Sequence, residues 1–528
     1  MKRTKTPTFL LELPLCVDWS QERRVRAHLE AARCLYNALL GEGYRRLRQM
    51  RNDPAWTEAR SIPRVKKQER AQAFSALRKQ YRFSEYGLHE YAKRARVSWI
   101  ADHIDSTMAQ TLATRAYQAL NRVCTGRAKR VRFRSSARGI DSVEGKRNDV
   151  GLRFLLDPNA GEGGFLIWNK QVIPALIDWC DPVVQHGLRH KIKYVHLIRR
   201  KAPSPRAQGA DGDGNRYCVQ LVLEGHALLK PKHAEAGTDT IGLDIGPSTL
   251  AIIPQQGKAD LVTFCEELAP NTRKKRRLQR QMERQRRANN PENYDEKGRV
   301  KKHSNTHLRW KESKRYKASR RQHATTERKL AAHRKSLHGN LAHTIAQVGN
   351  TIKIEKTSFK GWQKQYGRSM GLRAPGMFVA HLARRVAKTG GTLSEISAYK
   401  TRLSQYCHRC GHYVKKPRSQ RWHTCSCGVG PVQRDLYSAF LLAYLEPGHT
   451  QPSVTQHVWE GAGQGGEPRL RAVMEVLQQR ATEGQILPRS MGVVASGKAV
   501  RAGARRLKSP ADPHQEPVHP QGATGSVG

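Results

Sequence analysis

Four cysteines place the tightest constraint on this chain. Cys407-x-x-Cys410 and Cys425-x-Cys427 fall within 21 residues, with 14 residues between the pairs. Thiolates at that density suit tetrahedral Zn²⁺ in a closed, structural geometry. Gly411 and Gly428 follow the two pairs, where a knuckle turn needs backbone freedom. The second pair is Cys-x-Cys, not the commoner Cys-x-x-Cys, so His412 or His423 stands as an alternative to one of the four. The four cysteines are the preferred set. Cys16, Cys34, Cys124, Cys180, Cys218 and Cys265 are scattered singly. A disulfide scaffold instead spreads its cysteines through a small secreted chain. One tight cluster in a large chain reads as a metal site in a reducing compartment.

The second constraint is charge. The chain carries 95 Lys plus Arg against 44 Asp plus Glu, a formal net charge of +51. No fold needs that excess, and self-repulsion opposes a compact state. A polyanion compensates it, because basic side chains release condensed counterions from a phosphate backbone. A membrane is the competing polyanion. No apolar run reaches spanning length, and Glu12 and Asp18 stand where a signal peptide is apolar. The expectation is a cytoplasmic nucleic-acid binder. Its 528 residues suffice for two to four domains.

Patterning divides the chain. Residues 8–16 read as a strand, and Ser20 is the expected cap of a helix carrying Val25, Leu29, Ala32, Leu35 and Leu39 on one stripe. Basic helical patterns continue to about residue 128. Residues 130–225 alternate with period two, around Ile192–Ile198 and Tyr217–Leu223, and predict a small barrel that includes the first strand. Residues 202–215 are expected to be an exposed loop. Residues 239–265 read as a hairpin. Residues 271–337 are dominated by Lys and Arg, with a disordered tip expected near 288–306. Residues 341–400 return to mixed α/β, and an apolar helix covers 435–445. Residues 468–482 can form a helix, and the last forty or so residues read as disordered.

Three acids stand out. In Thr240-Ile241-Gly242-Leu243-Asp244-Ile245-Gly246, the isoleucines and leucine share one strand face, and Asp244 stands between glycines on the other. In Thr351-Ile352-Lys353-Ile354-Glu355, the isoleucines are expected inside and Glu355 outside. Asp435 opens the helix Leu436–Leu442, where it also suits a helix cap. Alone, each has an ordinary structural explanation: a turn Asp, a surface Glu, a cap. Their order resembles the RNase H-like RuvC nuclease layout. Such carboxylates can hold two Mg²⁺ ions about 3.5–4 Å apart.

The blocks Ile241–Gly246, Ile352–Glu355, Ser404-Gln405-x-Cys407-x-x-Cys410-Gly411, and Cys427-Gly428 followed by Arg434-Asp435-Leu436 together resemble the TnpB family. These are RNA-guided nucleases encoded by insertion sequences and related to small type V CRISPR effectors. The resemblance spans most of residues 8–446. It implies an α+β multidomain architecture. A wedge β-barrel (1–20 and 130–236) is split by a helical recognition module (21–129). A RuvC-like α/β domain (237–405) carries a basic helical insert (270–340), a zinc ribbon (406–430) and a final helix (431–447), and a largely disordered tail (448–528) follows. It implies Asp244, Glu355 and Asp435 as catalytic Mg²⁺ ligands, one structural Zn²⁺, and cleavage of target DNA directed by a guide RNA. Two positions depart from the pattern. Gln433 stands where many relatives have Asp, and Tyr437 where they have Asn. The alternatives are a weak or inactive RNA-guided DNA-binding protein, a small type V CRISPR effector, and an unguided resolvase-like enzyme.

Overall fold

The structure is a computed structural model that describes residues 6–136, 139–157, 163–201, 215–229, 231, 234–268, 272–301, 308–417, 419–446 and 456–493. It falls into two units, Met1–Lys230 and Pro231–Gly528. The predicted 202–215 loop lies almost wholly outside the described residues, as does the chain from 494 onward.

The first unit runs β1 (Thr8–Pro14), α1 (Trp19–Asn52), α2 (Pro54–Ser61), α3 (Lys67–Gln80), α4 (Glu85–Arg96), α5 (Ser106–Cys124), β2 (Ser142–Glu144), β3 (Arg153–Asp157), β4 (Gly163–Trp168), β5 (Gln171–Pro174), α6 (Pro182–Leu188), β6 (Ile192–Lys201) and β7 (Asn215–Glu224). Helix α1 buries the expected stripe of Val25, Leu29, Ala32, Leu35 and Leu39. Its cap is Asp18, not Ser20. Asp18 accepts from the Gln21 amide at 2.7 Å, and Gln21 Oε1 accepts from the Asp18 amide at 3.0 Å. This reciprocal box satisfies two orphan helix donors at once.

The described strands do not close into the expected barrel. One sheet has the order β1-β7-β6-β2, and β3-β4-β5 form another. They meet through a single bridge, Leu15 to Ala175. At the other seam β2 is three residues long, and no ladder joins it to β3. A register shift between Ile192 and Tyr194 leaves Val195 and Leu197 as the buried residues of β6.

The second unit runs β8 (Asp239–Ile245), β9 (Thr249–Pro254), β10 (Asp260–Thr263), α7 (Thr272–Ala288), α8 (Lys314–Val348), β11 (Gly349–Glu355), α9 (Phe359–Arg373), α10 (Pro375–Lys388), β12 (Thr392–Ile396), α11 (Ala398–Thr401), β13 (Trp422–His423), β14 (Val432–Gln433), α12 (Arg434–Tyr444) and α13 (Gln456–Thr482). Its sheet has the order β10-β9-β8-β11-β12. The first three strands are antiparallel, and β8, β11 and β12 are parallel. The hairpin read over 239–265 is thus a three-stranded meander. One face packs Ile241, Leu243, Ile352 and Ile354 with Ala342 and Ile345 of α8 and Phe378 and Leu382 of α10. The other packs Ala251 and Ile253 under α12, whose residues Leu436–Ala443 are all buried. A helix that is apolar all round belongs inside. Each of its leucines contributes roughly 1.5–3 kcal/mol by leaving water.

Two expectations of disorder change here. The 288–301 part of the basic insert's tip is a built turn. Asn290 is fully buried, donates to the Arg286 and Lys311 carbonyls and accepts from the Lys311 amide. Its side-chain amide replaces missing backbone partners. Beyond Pro447, α13 is a 27-residue helix, longer than the 468–482 segment that sequence suggested. It is fastened to the sheet by Arg469, which donates to the carbonyls of Pro254, Gln255 and Gly257. Trp459 donates to Leu441 O at 3.1 Å. Among the described residues, no helix is long and apolar enough to cross a membrane.

Candidate active site

Register brings the first two acids together. Lys353 pairs with Gly242 and Ile354 with Leu243 in parallel strands, so Glu355 stands level with Asp244. Neighbouring strands lie about 5 Å apart, and levelled residues share a face. That face is the one under α12. Gly242 permits the approach: a Cβ there would stand 2.0 Å from Ala439 O and 2.5 Å from Ala443 N. Asp435 lies one helical turn before Ala439, and Asp244 lies two residues beyond Gly242. The start of α12 therefore overhangs the carboxyl ends of β8 and β11.

All three acids line one cavity of 880 Å³. Glu355 does not point out to solvent as the strand pattern suggested. The central parallel strand is covered on both faces, and even Lys353 is buried, donating to Ala443 O at 2.8 Å. Asp435 is not the helix cap. Gln433 holds that place, its Oε1 accepting from the Leu436 amide at 2.8 Å, while the Asp435 carboxylate lines the cavity, 3.8 Å from Arg434 Nε.

Burial raises all three acids, and neighbouring acids add to it at Asp244 and Glu355. Burial first, then the charges of Asp435 and Glu355, push Asp244 well above the usual carboxylate range. Burial and Asp435 push Glu355 up to about 7. Burial raises Asp435 too, against Arg434 and Arg421, whose charges favour the carboxylate. The Ser438 hydroxyl is buried without a hydrogen bond of good geometry, yet lies close enough to Asp244 to favour its charged form. Three crowded, buried carboxylates of this kind favour positive charge close by.

Sequence reasoning missed the rest of the wall. Trp362, Tyr366, Ser369 and Arg373 come from α9, and Lys415, Lys416, Arg421 and Arg434 come from the ribbon and the start of α12. Trp362 and Tyr366 stand four residues apart, with ring centroids 6.5 Å apart. An aromatic pair at helical spacing among Lys360, Lys364 and Arg368 was the available signal.

The cysteines form their own cluster. Cys407 Sγ lies 3.5 Å from Cys427 Sγ, and Cys410 Sγ 3.4 Å from Cys425 Sγ. Among the described residues, this is the one group of three or more His, Cys, Asp or Glu with all ligand atoms within 4.8 Å of one another. A tetrahedral Zn²⁺ with bonds of about 2.3 Å fits sulfurs at that spacing. The Cys427 amide holds the Cys425 thiol down to about 6, while burial raises Cys407. Gly411 and Gly428 turn with φ of +72° and +94°. Neither histidine joins the quartet. His412 is exposed, and His423 stacks on Tyr437 at 4.1 Å. Tyr437 itself faces the ribbon. Its hydroxyl accepts from the His408 amide at 3.0 Å and lies 2.8 Å from His408 Nδ1. It takes no part in the cavity wall.

No family profile matches the chain, and no curated protein matches it. Among solved structures it is similar to a chain in a cryo-EM structure of a Cas12f1–sgRNA–target DNA complex, at 11% identity, covering 84% of this chain and 99% of that one, with a TM-score of 0.41. It is also similar to a chain in a cryo-EM structure of a CRISPR-Cas12f ternary complex, at 12% identity, covering 81% and 82%, with a TM-score of 0.25. Both likenesses are distant.

Proposed function

We propose that the chain is a divalent-metal-dependent nuclease that cuts DNA under the direction of a guide RNA, with Asp244, Glu355 and Asp435 as its metal ligands. The observation that carries this reading is the convergence of three acids, 191 residues apart at the extremes, on one basic-rimmed cavity. The donor set is all carboxylate oxygen, which suits Mg²⁺. The mutual repulsion of these acids is the kind a divalent cation relieves. Three such carboxylates can hold two ions about 3.5–4 Å apart. When bound, such a pair activates water and stabilises the leaving oxygen of a phosphodiester.

The chain's own groups supply the rest. Arg434, Arg421 and Lys416 draw the phosphate toward the acids. Trp362 and Tyr366 offer ring faces on which a base can stack. Zn²⁺ on Cys407, Cys410, Cys425 and Cys427 fixes the ribbon that presents Lys415, Lys416 and Arg421. The guide RNA, the DNA target and a transposon origin rest on the TnpB resemblance of the motif blocks, with the +51 charge supplying capacity for polyanions.

The test is plasmid cleavage in Mg²⁺ by protein carrying its co-purifying RNA. Asp244→Ala, Glu355→Gln and Asp435→Asn should each lower the cutting rate by about 10³-fold or more while RNA binding persists. Wild-type cutting by any of the three sinks the assignment.

A further inference from the structure

Gln433 departs from the family pattern, and the chain after residue 447 is longer than the resemblance explains. They meet in one hydrogen bond. Gln433 Nε2 donates to Ser490 O at 3.2 Å. Its Oε1 meanwhile caps α12. A side-chain amide can do both, but an ionised carboxylate only accepts. An Asp at this position would have nothing to give the Ser490 carbonyl.

Ser490 arrives there by a defined route. Gly484, at φ +90°, turns the chain at the end of α13, and a helical turn at Arg489–Met491 brings it back. Ser490 Oγ lies 3.1 Å from Ser248 Oγ, in the turn that follows Asp244. Met491 is 1% exposed, in the same core as Leu436 and Phe440. Gly492, at φ +78°, lies so close to the ribbon that a Cβ would stand 3.2 Å from the Arg421 side chain. Ser490 itself lines the acid cavity. This short segment thus touches the turn after one acid, the cap before another, and the strand beside the basic rim.

We propose that residues 487–493 are a strap that positions the acid site, with Gln433 and Ser490 as a matched pair setting where Asp435 stands over Asp244. The proposal rests on the reading that the three acids hold divalent cations. Groups that orient metal ligands change affinity by about 10–100-fold when removed.

The experiment titrates the full-length, zinc-loaded protein with terbium(III), read as luminescence sensitised by tryptophan, of which Trp362 lines the cavity. Gln433→Asn keeps a neutral capping amide but is one methylene too short to reach Ser490 while capping. Met491→Ala withdraws the anchor of the strap. Each should weaken terbium binding about tenfold, with one zinc retained per chain. The double variant should be no worse than the weaker single one, because both break the same link. Wild-type affinity in either single variant, or losses that simply add, overturns the strap. Asp244→Ala separates the two readings: if it leaves terbium binding intact, the three-acid site fails, whatever the strap variants do.

Discussion

Gly242 has no room for a methyl group, because the contacts it would make are backbone atoms of α12. Gly242→Ala should cost roughly 3 kcal/mol, as overpacking against a rigid neighbour does. A lower denaturant midpoint at unchanged slope would register it. His28 makes a second prediction. It is 7% exposed, 2.9 Å from His103 through the two Nδ1 atoms, and tilted against the Trp168 ring at 4.6 Å between centroids. Burial first, then His103 and Arg24, lower its pKa to about 4. A folded value below the unfolded one means that its stabilising contribution is complete above about pH 6.5 and drains away as pH falls toward 4. Thermal unfolding across that window should show the slope, and His28→Gln should flatten it. That Asp244 and Glu355 sit near the ends of their strands was legible in sequence, since each closes an alternating apolar run. The role of Gln433 was not. Which residue of Gln433-Arg434-Asp435 caps a helix depends on where β14 ends, and that boundary is set by pairing with β13.

At the level of elements, α12 is the part on which most else leans. It lies over the sheet, behind the ribbon through Tyr437–His408, and against α13. Chelating zinc from the cysteine quartet should therefore loosen more than the ribbon. Amide exchange at Leu436 should speed up, because its cap and its Tyr437 neighbour lose their support. Unchanged protection there after complete zinc removal would contradict this linkage. Period-two and helical patterns revealed α1, β7, β8 and α12, because each buries one clear apolar set. They failed where side chains do backbone work, as Asn290 does in the basic insert. They also failed at the barrel, where closure depended on a three-residue strand. The helix α13 was underestimated because Gly461, Gly463, Gly465, Gly466 and Pro468 argue against helix locally. Packing of Trp459, Leu470 and Leu477 on α12 overrides them.

For the whole molecule, charge governs association. A chain of net charge +51 should lose affinity for nucleic acid steeply with ionic strength, by about 10³-fold between 50 and 200 mM salt. Titration of labelled RNA at several salt concentrations measures the slope, and a flat response would mean that the basic residues mostly face solvent. The cavity walls come from residues near 244, 355–373, 404–435 and 490. Synthesis proceeds from the amino end, and domains fold as they emerge. On the ribosome, the basic helices α7 and α8 are complete before Asp435 has been added and long before Ser490 can close the wall. A nascent chain thus carries its two most basic helices well before its acid pocket exists, so under the proposed function a grip on RNA would mature ahead of any cutting.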